Sequence, residues 1–369
     1  MNIEMARSEL VPVLAVVAGV VERRQTLPIL GNLLVRATDS GLAIRATDLE
    51  LEIGTQAAAE VEEAGQITLP ARKFFDICRS LPEGARVRVR SDGERAIVSS
   101  GRSRFTLSTL PAADFPTMGF EGDGIALELR SSALREILEK TAFAMAQQDV
   151  RYYLNGVLLE VGADRVVAVA TDGHRLAKAE QGMPAVADGE WEERQLILPA
   201  KTVSELKRLL PASDDAVRLE ISERTIRVEL GDTVLVSKLI DGRYPEYGRV
   251  IPAELPLRAT VDKDGLRAAL QRAAILSSEK YKGVRVTFDA GVLRLQSQNP
   301  EKEEADEEVE IDYEGEKVTV GFNVGYILDV LQAAEGNTVE VLFRDGDSSA
   351  VLRGLDASEE TFVIMPMRL

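Results

Sequence analysis

Cysteine is nearly missing from this chain of 369 residues: Cys78 stands alone. No internal disulfide can brace the fold, and a reducing compartment is implied. Histidine is as scarce, with His174 the single copy, so a histidine-pair metal site is excluded. There is no Gly-x-Ser-x-Gly elbow, no Cys-His cluster and no Gly-x-x-x-x-Gly-Lys-Ser/Thr phosphate loop, which leaves no standard nucleophile and no nucleotide hydrolysis. Aromatic residues make up only 5%, so the cores must be built from Leu, Val, Ile and Ala. Long apolar runs are lacking too: the best candidate, Val11–Val21, contains Pro12 and is too short to span a bilayer. No basic segment followed by an apolar run opens the sequence, and a cytoplasmic location is expected. Basic charge is in deficit, 44 Lys and Arg against 61 Asp and Glu, for a net charge of −17. A conventional DNA- or RNA-binding domain draws its affinity from a basic footprint, so any nucleic-acid contact here must be local.

What is present is repetition. Displaced by 124 residues, Leu10 falls on Leu134, Leu30 on Leu154 and Ala46-Thr47-Asp48 on Ala170-Thr171-Asp172. Displaced by 129, Leu69-Pro70-Ala71 falls on Leu198-Pro199-Ala200, Ser108 on Ser237 and Pro116 on Pro245. A fainter third copy puts Gly156 on Gly283 and Leu134 on Leu266. Such periods mean whole repeated domains rather than solenoid units. Boundaries fall near Gly119–Gly124 and Val250–Pro256, giving domains 1–122, 123–252 and 253–369. Each opens with an amphipathic helix (Leu10, Val13, Leu14, Val17 in the first), with Ser131 or Ser132 and Asp262 as caps in the later copies. Pro12 is tolerable only in a first helical turn. A second helix follows, with Pro70 and Pro199 at its first position and Phe74, Ile77, Cys78 and Leu81 as its stripe. With alternating strands around these helices, each repeat reads as an α+β unit of two helices and about eight strands.

Several constellations could carry function. Arg151–Ala177 reads as strands Leu154–Val161 and Arg165–Thr171 followed by a polar Thr-Asp-Gly-His-Arg knot. His174 could be catalytic, with Asp172 its only near partner, or simply a satisfied turn residue. A carboxylate hydrolase using Asp48 and Asp172 is one alternative function, and an acidic scaffold that never meets DNA is another. Gln147–Tyr153 offers amides, Arg151 and paired tyrosines for phosphates and exposed bases, or else a helix-to-strand turn in which strand alternation sends Tyr152 and Tyr153 to opposite faces. The run 301–316 holds ten carboxylates and one lysine, yet Val309 and Ile311 alternate with acids as a strand does. Lys73, Arg79, Arg102 and Arg104 sit among Phe74, Ile77, Phe105 and Leu107 as its basic counterpart. Complementary ends of this kind suit head-to-tail closure between copies. The methionine-rich end, TFVIMPMRL, is either a buried terminal strand or an adaptable docking surface.

QDVRYYLNG, ATDGHRLA, LPARKFFDICRSLPEG, GRSRFTLSTLPAADFP, GFNVGYILDVL and VIMPMRL together resemble the β subunit of bacterial DNA polymerase III, the sliding clamp, over essentially the whole chain. The resemblance implies three clamp domains per chain and two chains closed head to tail around duplex DNA, with helices lining the hole and sheets outside. It implies a non-catalytic processivity factor that needs no cofactor or metal. Its partners would be the polymerase III α subunit, the clamp loader and other polymerases and repair proteins, with no membrane. By the same resemblance, Arg24, Gln148, Tyr152 and Tyr153 touch DNA, with Arg72 and Lys201 as pore-lining charges. A partner-peptide pocket would be walled by Leu154, Thr171, Gly173, His174, Arg175, Leu176, Pro245, Arg249, Val250, Val363, Met365, Pro366, Met367 and Leu369, with Arg175 or Arg368 holding polar groups at its rim. The dimer contacts would be Lys73, Ile77, Arg102, Arg104, Phe105 and Leu107 against Ile275, Leu276, Glu301, Glu303 and Glu304.

Overall fold

The computed structural model describes residues 1–24, 26–120, 124–183, 193–278, 280 and 282–368. The first repeat comprises β1 (Asn2–Ala6), α1 (Arg7–Ala18), β2 (Asn32–Thr38), β3 (Gly41–Thr47), β4 (Leu51–Ala57), β5 (Glu60–Glu63), β6 (Gly65–Pro70), α2 (Ala71–Ser80), β7 (Arg86–Asp92), β8 (Arg95–Ser100) and β9 (Ser103–Ser108). The second comprises β10 (Ile125–Arg130), α3 (Ser131–Thr141), β11 (Gly156–Val161), β12 (Arg165–Thr171), β13 (Arg175–Gly182), β14 (Arg194–Pro199), α4 (Ala200–Leu209), β15 (Ala216–Ile221), β16 (Thr225–Leu230) and β17 (Thr233–Lys238). The third comprises β18 (Leu257–Asp262), α5 (Lys263–Ile275), β19 (Gly283–Asp289), β20 (Val292–Gln298), β21 (Glu304–Asp312), β22 (Val318–Asn323), α6 (Val324–Ala333), β23 (Thr338–Phe343), β24 (Ala350–Gly354) and β25 (Glu360–Ile364). The fold is α+β, with two α-helices and eight strands per repeat among the described residues and β5 an addition to the first.

Each repeat opens not on a helix but on a strand that runs straight into one. Asp262 ends β18 and caps α5, its Oδ2 accepting the Gly265 N–H at 2.7 Å. Leu266, Ala269, Leu270 and Ala273 then bury one stripe of α5, each large side chain contributing about 1.5–3 kcal/mol. Ser131 and Ser132 do not act as caps of this kind: their hydroxyls donate to the Pro211 carbonyl and to Asp214. Pro70 and Pro199 close strands rather than open helices, and Pro70 is the residue just before α2. Pro12 lies inside α1, beyond its first turn. It faces solvent there, where water can take up the carbonyl left without an N–H donor.

The chain forms two compact units, Met1–Ser132 with Ser204–Leu239, and Ala133–Val203 with Ile240–Leu369. The first unit carries one sheet in the order β5-β1-β7-β8-β9 and another in the order β10-β15-β16-β17-β4-β3-β2-β6. The second carries a sheet in the order β14-β11-β12-β13-β25-β24-β23-β18-β21-β20-β19-β22. One rule governs both units. In the first, the closing strand of repeat two joins repeat one, with Thr233 of β17 opposite Thr55 of β4. In the second, the closing strand of repeat three joins repeat two, with Val363 of β25 opposite Leu176 of β13. Two strands of these types remain open. Among the described residues β9 pairs with β8 alone, and β21, paired with β20 from Glu304 to Glu310, meets β18 only at Ile311 and Asp312.

Candidate functional site

The Thr-Asp pair at the end of β12 builds a turn. Asp172 Oδ1 accepts the N–H groups of His174 and Arg175 at 2.8 and 3.0 Å. Thr171 Oγ1 accepts the Gly173 N–H at 3.1 Å and donates to the Arg175 carbonyl at 2.6 Å. The first repeat does the same: Thr47 Oγ1 takes the Leu49 N–H, and Asp48 Oδ1 takes those of Glu50 and Leu51. The third residue is left-handed in both, with φ of 89° at Gly173 and 77° at Leu49, a conformation that costs a leucine more than a glycine. Ala-Thr-Asp is therefore duplicated because the turn is, and the hydrolase alternative loses its basis.

Arg175 departs from its expected role. Instead of waiting at a rim, its side chain is 11% exposed and fully engaged. It pairs with Asp172 and Asp329, donates to the Phe143 carbonyl, and lies over the rings of Phe143 and Tyr326 at 5.2 and 4.4 Å. A guanidinium presents five donors in a planar fork, which suits such a junction and leaves little for a visiting ligand. Arg368, by contrast, is exposed.

Around this turn lies a buried apolar cluster, termed the basin. Leu154, Leu158, Val169, Leu176, Ile197 and Val363 form its buried base, so three of the residues expected as walls (Leu154, Leu176, Val363) are floor instead. Tyr153, Tyr247 and Val250 pack half-buried against them as its margin. Pro245 and Arg249 stand exposed on the same segment, Arg249 paired with Glu246. His174 is exposed, and its carbonyl accepts the Met365 N–H at 3.0 Å. Two residues on, the Met367 N–H bonds the Gly321 carbonyl at 2.8 Å, so the tail spans from β13 to β22, with Pro366 half-buried between. Leu369 lies outside the described residues. The sequence reading missed Tyr244, whose hydroxyl accepts the Thr171 N–H at 3.0 Å, and Tyr247, whose hydroxyl donates to Glu160 at 2.6 Å. Burial raises the pKa of both tyrosines, and Glu160 raises that of Tyr247 further. Two tyrosines flanking Pro245 were the available signal.

The stretch before β11 is not strand. Tyr152–Leu154 form a 3-10 turn, because Asn155 clasps the loop: its Oδ1 accepts the Asp149 N–H and its amide donates to the Asp149 carbonyl. Strand alternation therefore does not place the tyrosines. Tyr152 is 57% exposed and sits edge-on to Tyr153, which belongs to the basin margin. Gln148 is exposed with φ of 55°, and Val150 is almost wholly exposed. Asp149 is held down to a pKa of about 2 by its hydrogen bonds from the Arg151 side chain and backbone. Arg24 is exposed, and Arg72 is exposed with one long bond to the Val21 carbonyl. Lys201 is half-buried near the start of α4.

The remaining expected residues lie on the two open strands, the turns before them, α2 and the end of α5. On β9, Arg104 is exposed, Phe105 half-buried and Leu107 buried; Arg102 precedes the strand, and Lys73 and Ile77 lie on α2. Lys73, Arg102 and Arg104 make no ion pair among the described residues. On β21, acids at even positions from Glu304 to Asp312 face solvent, while Glu307 turns inward to pair with Arg272 of α5. Glu301 and Glu303 occupy the exposed turn before it. Ile275, at the end of α5, is 76% exposed, with Leu276 half-buried beside it.

Nearly all of the sequence matches one family in three successive parts: the DNA polymerase III beta subunit, with its N-terminal domain over residues 1–119, central domain over 128–246 and C-terminal domain over 248–368. The chain belongs to this family. It is 47% identical over 372 aligned positions to the beta sliding clamp of Pseudomonas putida and 43% over 374 to that of Escherichia coli K12, with both chains covered in full. The crystal structure of a Pseudomonas aeruginosa DNA polymerase sliding clamp with ligand is 44% identical and superposes with a TM-score of 0.94, both chains fully covered. A Caulobacter crescentus beta sliding clamp superposes at 0.93 with 38% identity, covering 100% of this chain and 99% of that one. Another Pseudomonas aeruginosa clamp was solved bound to griselimycin. Membership makes the chain a DNA sliding clamp, a processivity factor and a non-catalytic accessory subunit whose partners are DNA and the polymerase. Among the described residues no helix is long and apolar enough to cross a membrane.

Proposed function

We propose that two copies of this clamp close head to tail into a ring around duplex DNA. One observation carries the reading: the two junctions inside the chain follow a rule that a third junction between copies would complete. β17 joins β4 and β25 joins β13, so β9 is left to join the β21 of a second copy. Strand addition supplies main-chain hydrogen bonds, while exposed Arg102 and Arg104 opposite Glu301, Glu303 and Glu304 supply direction. Domains of 1–122, 123–252 and 253–369 are the units that repeat around such a ring. Inside it, Arg24, Arg72, Gln148, Tyr152 and Lys201 would meet phosphates and exposed bases without reading sequence. The basin below His174 would take short apolar peptides from the polymerase α subunit, the clamp loader and repair proteins, received by Tyr153, Tyr247, Val250, Met365 and Met367 over buried Leu176 and Val363. A cytoplasmic location goes with this role.

Retention on DNA tests the ring. In the presence of a clamp loader, the protein should stay on nicked circular DNA through gel filtration and leave when the circle is cut. Equal retention on linear and circular DNA would refute topological linkage.

A further inference from the structure

The basin described above has a structural double in the first unit whose chemistry is different. By the repeat offsets, the basin residues Leu158, Val169, Leu176 and Ile197 correspond to Leu34, Arg45, Glu52 and Thr68. Tyr244 and Tyr247, on the covering segment, correspond to Phe115 and Met118. The covering segment is hooked to its sheet in both units, though through different groups. Ile240 N–H bonds the Ile197 carbonyl, and Leu110 N–H bonds Thr68 Oγ1 at 2.8 Å. Tyr244 reaches the turn after β12, while the Met118 N–H reaches Glu52 at 2.9 Å.

In the double, however, the covering segment does not fill the sheet face. A cavity of about 600 Å³ opens over β6, β2, β3 and β4, and a second of about 290 Å³ continues it toward β17. The two share Ala43, Arg45, Gln56 and Asp232. Leu34, Ala43 and Phe115 give the larger cavity an apolar floor. Arg36 projects at its exposed side and makes no ion pair among the described residues, whereas Arg45 already faces Glu52 at 3.4 Å. Gln56 and Gln66 add amide groups. Much of the remaining lining is polar and includes Asp232, shared with the smaller cavity. In a chain with a net charge of −17, an unpaired arginine beside Leu34 and Phe115 points to a ligand that carries a carboxylate together with apolar side chains.

Length distinguishes a peptide from a small anion. Five strands at a spacing of about 4.8 Å span about 19 Å. An extended segment of five or six residues covers that distance, and a single phosphate fills only a corner of it. We propose that this cleft is a second docking site, taking a short extended peptide whose carboxylate is held by Arg36 and whose apolar side chains rest on Leu34 and Phe115.

The test uses the full chain and a fluorescein-labelled peptide, Glu-Leu-Asp-Leu-Glu, followed by anisotropy. Arg36→Glu should weaken binding about tenfold or more, as loss of a charge-assisted contact and its reversal would. The amide counterpart, Gln-Leu-Asn-Leu-Gln, should bind the unaltered protein as weakly. Removing residues 365–369, in the other unit, should leave the affinity unchanged. Undiminished binding by Arg36→Glu would overturn the site, and so would loss of binding only on removal of 365–369, which would place the peptide in the other basin. Equal binding of the amide peptide would overturn the carboxylate. Full displacement by millimolar inorganic phosphate would reduce the cleft to a small-anion site and overturn the peptide.

Discussion

Arg175 shows how one side chain can brace the proposed peptide surface without belonging to its mouth. Its guanidinium ties the turn after β12 to α6 through Asp172, Asp329 and the Phe143 carbonyl. The same turn holds the His174 carbonyl that receives the C-terminal tail. Arg175→Met keeps the aliphatic stem but leaves Asp172, 17% exposed, without its cation. Breaking such a pair costs about 3–5 kcal/mol when both partners are buried, and less here because Asp329 is 45% exposed. A loss of about 2–3 kcal/mol is expected in urea unfolding, together with weaker binding of a Leu/Phe-containing polymerase peptide in calorimetry. A stable variant with full peptide affinity would mean the junction is ornamental to the basin. Lys140 makes a comparable knot in the same unit: it meets Glu136, Glu335 and fully buried Glu360, and these carboxylates raise its pKa despite burial.

At the level of strands and helices, closure through β9 and β21 predicts a specific failure. Ile275 and Leu276 end α5, which packs on β21, and Ile275 exposes most of its surface with nothing to cover it. Changing both to Asp removes apolar burial of about 1.5–3 kcal/mol per side chain from each interface and should give monomers in sedimentation at dilute concentration. A dimer that survives would assign closure to other elements. The helices were legible in the sequence because their buried stripes recur every three or four residues, as in Leu266, Ala269, Leu270 and Ala273. The opening strands were not, since five or six alternating residues such as Asn2–Ala6 run into a helix with no turn residue between. The 3-10 turn at Tyr152–Leu154 hid in the same way, inside an apolar run that continues to Val161, with only the Asn155 clasp to end it. The basin was legible at its turn and tail, where the motif residues are contiguous. Tyr244, Val351 and Leu342 reach it only because β13 pairs with β25 and the 240–255 segment folds back, and no local pattern announces such contacts.

For the molecule as a whole, charge and topology pull in opposite directions, and the balance predicts how it should behave on DNA. A net charge of −17 repels a polyanion at long range, so direct binding must rest on few exposed groups, with Arg24 and Gln148 among those proposed. Each phosphate neutralised by a cation steepens the salt dependence by about 0.9 in log–log slope. With few such contacts, binding to a short linear duplex should be weak at low salt and undetectable near physiological salt. Once loaded on a circle, by contrast, the protein should persist at high salt, because escape requires opening an interface rather than breaking phosphate contacts. Arg24→Ala should shallow the slope for linear duplex by about one unit, and Gln148→Ala should weaken binding with little change in slope. Neither should alter the sedimentation of the dimer, since both residues lie outside β9 and β21. Salt titrations on linear and circular DNA, run side by side, check all three expectations. Tight, salt-insensitive binding to a short linear duplex would mean that the DNA is held by contact and not by enclosure.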